Sequence, residues 1–216
     1  ETVTFDFLEP DLSYASNVYS LIQKNFAFFN GDLYELVELI CQQKEFGIFL
    51  SVEEDDQPKN GHKNTEMEIE SSDGRDVYAC LSIIKLDMKE SMNFSKAFKK
   101  CVLEHFSPES KEAVAAILNS KTGCGLLVSE RVINLPFMVV PSIYEQLMED
   151  KQFIDSCPDY LPDERAYYDY EFLVYFVKSQ EEAPTDEPKA TPTAKGTEQG
   201  PLYRKEDRLY LKHAML

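Results

Sequence analysis

Several residue types that commonly carry chemistry are scarce in this chain of 216 residues. It has no tryptophan, three histidines and five cysteines, and no two cysteines form a Cys-x-x-Cys pair. The cysteines are irregularly spaced and odd in number, which argues against structural zinc and favours free thiols in a reducing compartment, the nucleus or cytosol. No apolar run is long enough to span a bilayer.

The sequence frames that enzymes use for catalysis and cofactor binding are also missing. No Walker loop or metal motif is present, and Ser129 does not lie in a Gly-x-Ser-x-Gly turn. No glycine follows the strands predicted to end near Leu86 and Ile133, so neither strand opens a phosphate-binding turn. These absences predict a protein that is not an enzyme and has no catalytic residue, cofactor or metal.

Positive charge is in short supply. Lysine and arginine number 22 against 39 aspartates and glutamates, so the formal net charge is −17. A field of this sign repels phosphate, which argues against direct binding to nucleic acid or to an anionic membrane. The charge favours a basic partner, or it serves only to keep the protein in solution.

What is present is the pattern of an ordinary folded domain. Hydrophobic residues make up 43% of the chain, as in globular proteins. The predicted order is strand, two helices, strand, acidic loop, strand, two helices, strand, helix, strand. This order predicts a mixed α/β fold with a central, mostly antiparallel sheet covered by helices. We expect one domain over residues 1–179, a flexible linker or disordered loop over 180–200, and a C-terminal segment, 201–216, that packs back on the domain.

Local patterns place several element ends. A first helix is predicted from Asp11 through Phe29, and Asp32 is expected to cap the next one. Ser107 precedes Pro108 and predicts a capped helix that buries Val114, Ile117 and Leu118. The strands are predicted at Thr2–Leu8, Phe46–Val52, Val77–Leu86, Leu126–Val128 and Tyr170–Val177.

Two acidic stretches interrupt the predicted elements. Residues 53–76 hold nine carboxylates and several turn-forming residues, which predicts a long exposed loop: a solvated insertion, or an arm that grips basic protein. The second stretch, Glu149–Asp169, ends in tyrosines that either pack on the core or anchor an interface. The candidate partner-binding residues are Glu53, Glu54, Asp55, Asp56, Asp159, Tyr160, Asp163, Glu164, Tyr167 and Tyr168.

The stretch Gly125–Asp150 combines a buried strand, a charged pair, a proline turn and an amphipathic helix. Glu130 and Arg131 follow the apolar run on opposite faces of the strand. Either the strand emerges into water there, or the two charges form a partly buried, hydrogen-bonded pair that holds a strand-to-helix corner. Pro141 is expected in the first turn of a helix whose repeating apolar residues are Ile143, Tyr144, Leu147 and Met148.

The same stretch resembles the signature of the BCCIP family, which comprises eukaryotic nuclear and nucleolar proteins. The residues that carry the resemblance are Ser129, Glu130, Arg131, Asn134, Pro136, Pro141 and Tyr144. Shorter matches follow in the family's order: Phe5-Asp6-Phe7, Cys80-Leu81-Ser82, Tyr168-Asp169-Tyr170, Glu206-Asp207-Arg208 and His213-Ala214. The chain departs from the family at Phe137, where a second proline is usual, so the turn geometry there is open.

The resemblance implies an acetyltransferase-like architecture without the cofactor loop. It also implies a dedicated chaperone of a basic large-subunit ribosomal protein, which supports ribosome biogenesis and transport in the nucleus and nucleolus and shuttles to the cytoplasm. One alternative is a nuclear adaptor in DNA repair and cell-cycle control, and another is an acetyltransferase-like enzyme. The chain opens at Glu1 without a methionine, so we expect any targeting signal to lie outside it.

Overall fold

The computed structural model describes residues 3–52, 75–88 and 92–176. In this part of the chain the strands form one five-stranded sheet in the order β1-β2-β3-β4-β5, and the first three neighbouring pairs are antiparallel. The strands are β1 (Phe5–Leu8), β2 (Gly47–Val52), β3 (Ala79–Lys85), β4 (Cys124–Arg131) and β5 (Phe172–Tyr175). The predicted mixed α/β class is therefore confirmed, whereas the acetyltransferase-like architecture stays a prediction.

The helices follow the predicted order, except that a second, short helix, which was not predicted, lies between the last two strands. They are α1 (Ala15–Ile22), α2 (Leu33–Gln42), α3 (Met92–Glu104), α4 (Pro108–Leu118), α5 (Val140–Ser156) and the short α6 (Pro162–Arg165). Single 3-10 turns lie at Leu12–Tyr14, Phe137–Val139 and Ala166–Tyr168. Helix α1 packs against β3 and β4, whereas α5 packs against β2 and β3.

The predicted helix starts have the expected chemistry. The Asp32 side chain accepts a hydrogen bond from the Tyr34 amide at 2.9 Å, and Ser107 accepts one from Ser110. Pro141 lies in the first turn of α5, where its missing N–H costs no helical hydrogen bond. In each of these helices an unpaired N–H of the first turn is therefore either bonded to a capping side chain or absent because the residue is a proline.

The core lies where the central strands meet the helices. Strands β2, β3 and β4 are buried along almost their whole length, and among the described residues the largest fully buried side chains include Phe46, Phe49, Phe94 and Phe98. Phe94 and Phe98 stack at 5.3 Å between ring centroids, and Phe29 packs edge-on against Phe94. These phenylalanine rings are thus part of the core.

Four local predictions need correction. Helix α1 ends at Ile22 and turns follow to residue 28, although Phe26 and Phe29 are buried as expected, because a series of turns can also direct apolar side chains inward. Met148 is 57% exposed: it lies about 100° around the helix axis from Leu147, outside the buried stripe.

In α4 only Leu118 is buried, and Val114 and Ile117 are half-buried because that helix packs on the domain near its C-terminal end. Strand β4 begins at Cys124 and not at the predicted Leu126, so Gly125 lies inside it; Gly123, at φ +100°, makes the turn before the strand.

The chain divides into two compact units, Glu1–Val174 and Tyr175–Leu216. Of the second unit, only Tyr175 and Phe176 are among the described residues. The predicted linker over 180–200 and the C-terminal segment 201–216 lie outside the described residues, as does most of the acidic loop 53–76. Their roles stay predictions.

Candidate partner-binding surface

The end of β4 holds a buried carboxylate. Glu130 is 6% exposed, and its Oε2 accepts a hydrogen bond from Asn25 Nδ2 at 2.5 Å. Asn25 lies in the turns that follow α1, so this contact fixes those turns against the sheet. A buried carboxylate without hydrogen bonds would be costly, which makes the amide donor part of the fold's stability.

The opposite face of the same strand end is joined to α5. The Ser129 hydroxyl lies 2.7 Å from the Tyr144 hydroxyl. Leu135, in the segment that connects the two residues, is buried. Adjacent strand residues thus attach to the α1 side and to the α5 side of the sheet. The end of β4 is thus joined to α5 through Ser129 and Tyr144, and to the turns after α1 through Glu130 and Asn25. A direct pair between Glu130 and Arg131 stays a prediction.

Removing the hydroxyl contact should loosen this corner measurably. We expect Ser129→Ala and Tyr144→Phe each to lower the free energy of unfolding by about 1 kcal/mol, the usual net contribution of a neutral hydrogen bond. The double variant should cost less than the sum of the two single variants, because both remove the same contact. Urea unfolding of the four proteins measures this coupling. Strict additivity of the two losses would contradict a shared hydrogen bond.

Three further signature residues face solvent. Asn134, Pro136 and Pro141 are exposed, as are the apolar side chains of Ile133, Phe137 and Met138. Phe137 begins a 3-10 turn that leads directly into α5. The signature therefore combines buried residues that build the corner with an exposed apolar loop at its tip.

The predicted segment Asp159–Tyr168 forms a second exposed surface. Asp159, Asp163 and Glu164 are exposed, and in the described part of the chain none of them has an ion-pair partner. The one cation of this segment, Arg165, turns inward and donates to the Cys157 carbonyl at 2.7 Å. The carboxylates thus face solvent, whereas the guanidinium of Arg165 is hydrogen-bonded to a backbone carbonyl.

This segment is held by contacts with distant parts of the chain. Lys85 Nζ donates to the Ala166 carbonyl at 2.6 Å. The Tyr168 ring packs edge-on against buried Phe46 with ring centroids 5.2 Å apart, and its hydroxyl lies 3.5 Å from Glu45 Oε2. The Glu164 side chain also accepts from the Leu161 amide at 2.7 Å. The segment is therefore an ordered acidic surface.

The tyrosines of this region divide into two roles. Burial, followed by the nearby Glu45 carboxylate, raises the pKa of Tyr168 to about 12, and burial likewise raises the pKa of Tyr170 to about 12. The pKa of Tyr160 is raised by burial and by Glu45. Tyr167 instead exposes 36% of its surface. The tyrosines therefore differ in role: Tyr168 and Tyr170 are packed in the domain, whereas Tyr167 faces solvent.

Exposed apolar groups accompany the acidic ones. Phe153 and Leu161 are 61% and 58% exposed, and the Phe153 ring lies edge-on to Tyr160 with centroids 6.5 Å apart. Lys151 is occupied by Asp155 and Asp169 at 2.5 and 3.3 Å. This surface therefore combines exposed carboxylates, a lysine that is already paired and exposed aromatic and apolar side chains.

Sequence reasoning did not identify Asn25, Glu45, Phe46 or Lys85 as residues that support these surfaces. Each makes its contact with a residue far along the chain, so no local pattern points to it. The candidates Glu53, Glu54, Asp55 and Asp56 lie outside the described residues. Among the described residues, no group of three or more His, Cys, Asp or Glu is arranged to hold a metal ion, and no helix is long and apolar enough to cross a membrane.

Comparison with known proteins confirms the family resemblance of the signature. The chain matches the family model described as BCCIP over residues 2–214. The chain belongs to the BCCIP family. It is similar to "Protein bcp1" of Schizosaccharomyces pombe, with 30% identity over 83 residues that cover 36% of this chain and 29% of that protein. It is similar to "Protein BCP1" of Yarrowia lipolytica, with 26% identity over 145 residues that cover 62% of this chain and 43% of that protein.

One solved structure is also similar. The crystal structure of BCP1 from Saccharomyces cerevisiae matches 69% of this chain and 57% of that chain, at 19% identity and a TM-score of 0.43. The matched regions therefore span less than half of the two curated relatives and somewhat more than half of the solved chain.

Proposed function

We propose that this BCCIP-family chain is a binding protein that escorts a basic large-subunit ribosomal protein, and that it acts without catalysis or cofactor. The observation that carries the proposal is the ordered acidic surface at Asp159–Tyr168, on a chain with a net charge of −17. The family resemblance suggests the class of client, and we propose on the same ground that the protein acts in the nucleus and nucleolus and shuttles to the cytoplasm.

The physical case begins with the client. A ribosomal protein's RNA-binding face is rich in lysine and arginine and adheres to nucleic acid and other polyanions. An acidic surface attracts such a face over a long range and covers it until delivery. The same field repels the chain itself from RNA, so the escort does not compete with its client for the RNA site.

Charge alone does not select one client among many basic proteins. Exposed Phe153, Leu161 and Tyr167 supply apolar contacts beside the carboxylates. Aromatic side chains are favoured at the centre of interfaces, because they bury much area for little loss of conformational freedom. We therefore assign attraction to Asp159, Asp163 and Glu164 and specificity to the apolar residues.

Salt should weaken the complex. Exposed charges are screened over about 8–10 Å at ordinary ionic strength, so we expect the affinity for a basic client to fall on the order of tenfold between low and high salt. Affinity purification of the full chain, followed by mass spectrometry, identifies the client. Titration of that purified client at several salt concentrations then measures the effect. An affinity that does not change with salt would contradict the electrostatic basis of the proposal.

The same purification separates the alternatives. One ribosomal protein recovered in equal amount supports the escort, whereas recovery of DNA-repair factors supports the nuclear adaptor. Calorimetry with acetyl-CoA tests the alternative of an acetyltransferase-like enzyme. Saturable binding would overturn the claim that no cofactor is used.

A further inference from the structure

A cleft of about 360 Å³ lies beside the acidic surface, within the unit Glu1–Val174. One wall comes from the end of α2 and the residues after it, including Leu39 and Glu45. The other lining groups include Ile84 and Met88 near the end of β3, and Tyr167. Ligand pockets occupy about 300–1,000 Å³, so this volume suits a single long side chain better than a folded element.

The exposed anion in the cleft is Glu45. It has no ion-pair partner among the described residues, and its carboxylate lies 3.5 Å from the Tyr168 hydroxyl. The pKa values of Tyr160 and Tyr168 are both raised, first by burial and then by this carboxylate and by Glu164. Burial is the largest cause of both shifts, and only the additional contribution of the carboxylates indicates a negative local potential, which would favour a bound cation.

Two lysines also line the cleft, and both are occupied within the chain. Lys44 forms an ion pair with Asp11 at 3.5 Å, on the side of the 3-10 turn that precedes α1. Lys85 is directed to the Ala166 carbonyl at 2.6 Å. Their charges reduce the attraction for a cation, but neither lysine neutralises Glu45 by a direct contact in the described residues. The carboxylate therefore stays available to a partner.

Aromatic side chains complete the lining. Tyr167 and Tyr168 both line the cleft, and Tyr168 is held in place by Phe46. A guanidinium group stacks on aromatic rings and pairs with a carboxylate through two parallel hydrogen bonds, whereas an ammonium group does neither as well. A carboxylate beside two tyrosines is thus a combination that favours arginine over lysine.

We propose that this cleft binds an arginine side chain of the basic partner, with the guanidinium paired to Glu45 and packed on Tyr167 and Tyr168. The inference rests on the proposed function for the identity of the partner, but the site itself is defined by these three residues. It names one contact through which an otherwise diffuse acidic surface would recognise a particular position in its client.

The test uses a blocked tripeptide, acetyl-Gly-Arg-Gly-amide, added to the full chain with isotope-labelled tyrosine rings. We expect saturable NMR shifts at Tyr167 and Tyr168. The peptide with citrulline in place of arginine has nearly the same shape but no charge, and it should produce no saturable shift. Lysine in the same position should bind more weakly than arginine. Equal shifts with arginine and citrulline would overturn the proposal.

Matched variants locate the binding energy. Glu45→Gln should weaken arginine-peptide binding about threefold or more, in line with the loss of one exposed ion pair. Glu38→Gln removes the same charge from an exposed position on α2 outside the cleft lining and should leave the affinity unchanged. Tyr168→Phe keeps the ring and should retain most of the affinity. Equal affinity for the Glu45→Gln and unaltered proteins would exclude the site.

Failure of this inference is distinguishable from failure of the escort proposal. If the tripeptide binds as expected but no ribosomal protein is recovered from cells, the arginine site stands and the client class is wrong. If a ribosomal protein is recovered and Glu45→Gln binds it with unaltered affinity, the escort stands and the cleft is excluded.

Discussion

Replacing Asp159, Asp163 and Glu164 by Asn, Asn and Gln should slow association with a basic client by about tenfold and leave its dissociation nearly unchanged. Exposed charges act mainly on diffusional encounter, because they attract the partner before contact and are well hydrated after it. The amides keep the side-chain size, and the carbonyl oxygen introduced by Glu164→Gln can still accept the hydrogen bond that Glu164 takes from the Leu161 amide. Stopped-flow or surface-based kinetics at the salt concentration of the cell measures both rates.

A matched triple variant controls for the loss of charge. Glu38, Glu104 and Glu112 are exposed on α2, α3 and α4, outside the predicted surface. Changing them to Gln alters the net charge by the same amount. We expect this control to slow association by less than about twofold at the salt concentration of the cell, because screening limits the reach of distant charges. Equal slowing by both triples would show that only the overall charge matters and would reject Asp159–Tyr168 as the docking surface.

Phe46→Ala should produce the largest change in stability among the residues that support this surface. Phe46 is 1% exposed, and its ring is in edge-on contact with the Tyr168 ring. Loss of a buried phenylalanine side chain costs about 3–5 kcal/mol of the free energy of unfolding, through lost burial and the cavity left behind. Urea unfolding measures the loss. Phe46→Leu is the control, since it retains much of the volume and should cost clearly less.

The same variant should alter the titration of Tyr168. In the folded protein the pKa of Tyr168 is about 12, above its ordinary value of 10.0. Its contribution to stability is therefore present below pH 10 and is lost as the pH rises toward 12, because the unfolded state releases the proton first. Phe46→Ala admits water to the ring, so the pKa should move toward 10.0. An unchanged pKa, followed by NMR of labelled tyrosine, would contradict the packing role of Phe46.

Local chemistry in the sequence predicted much of this fold. The strand and helix order, the caps at Asp32 and Ser107, and the helix start at Pro141 all depend on neighbours within a few residues. Such patterns repeat wherever the same physical requirement arises: a backbone amide needs a partner, or a face needs burial. The family signature is likewise a contiguous stretch and could be read directly.

The sequence by itself thus determined the fold class, the acidic character and the family, since composition and short-range patterns carry that information. Only the tertiary structure decided which groups meet. Asn25 reaches Glu130 across 105 positions, and Lys85 reaches Ala166 across 81. These contacts depend on how the helices pack on the sheet, and that packing turned an acidic stretch rich in prolines into an ordered surface with a cleft at its side.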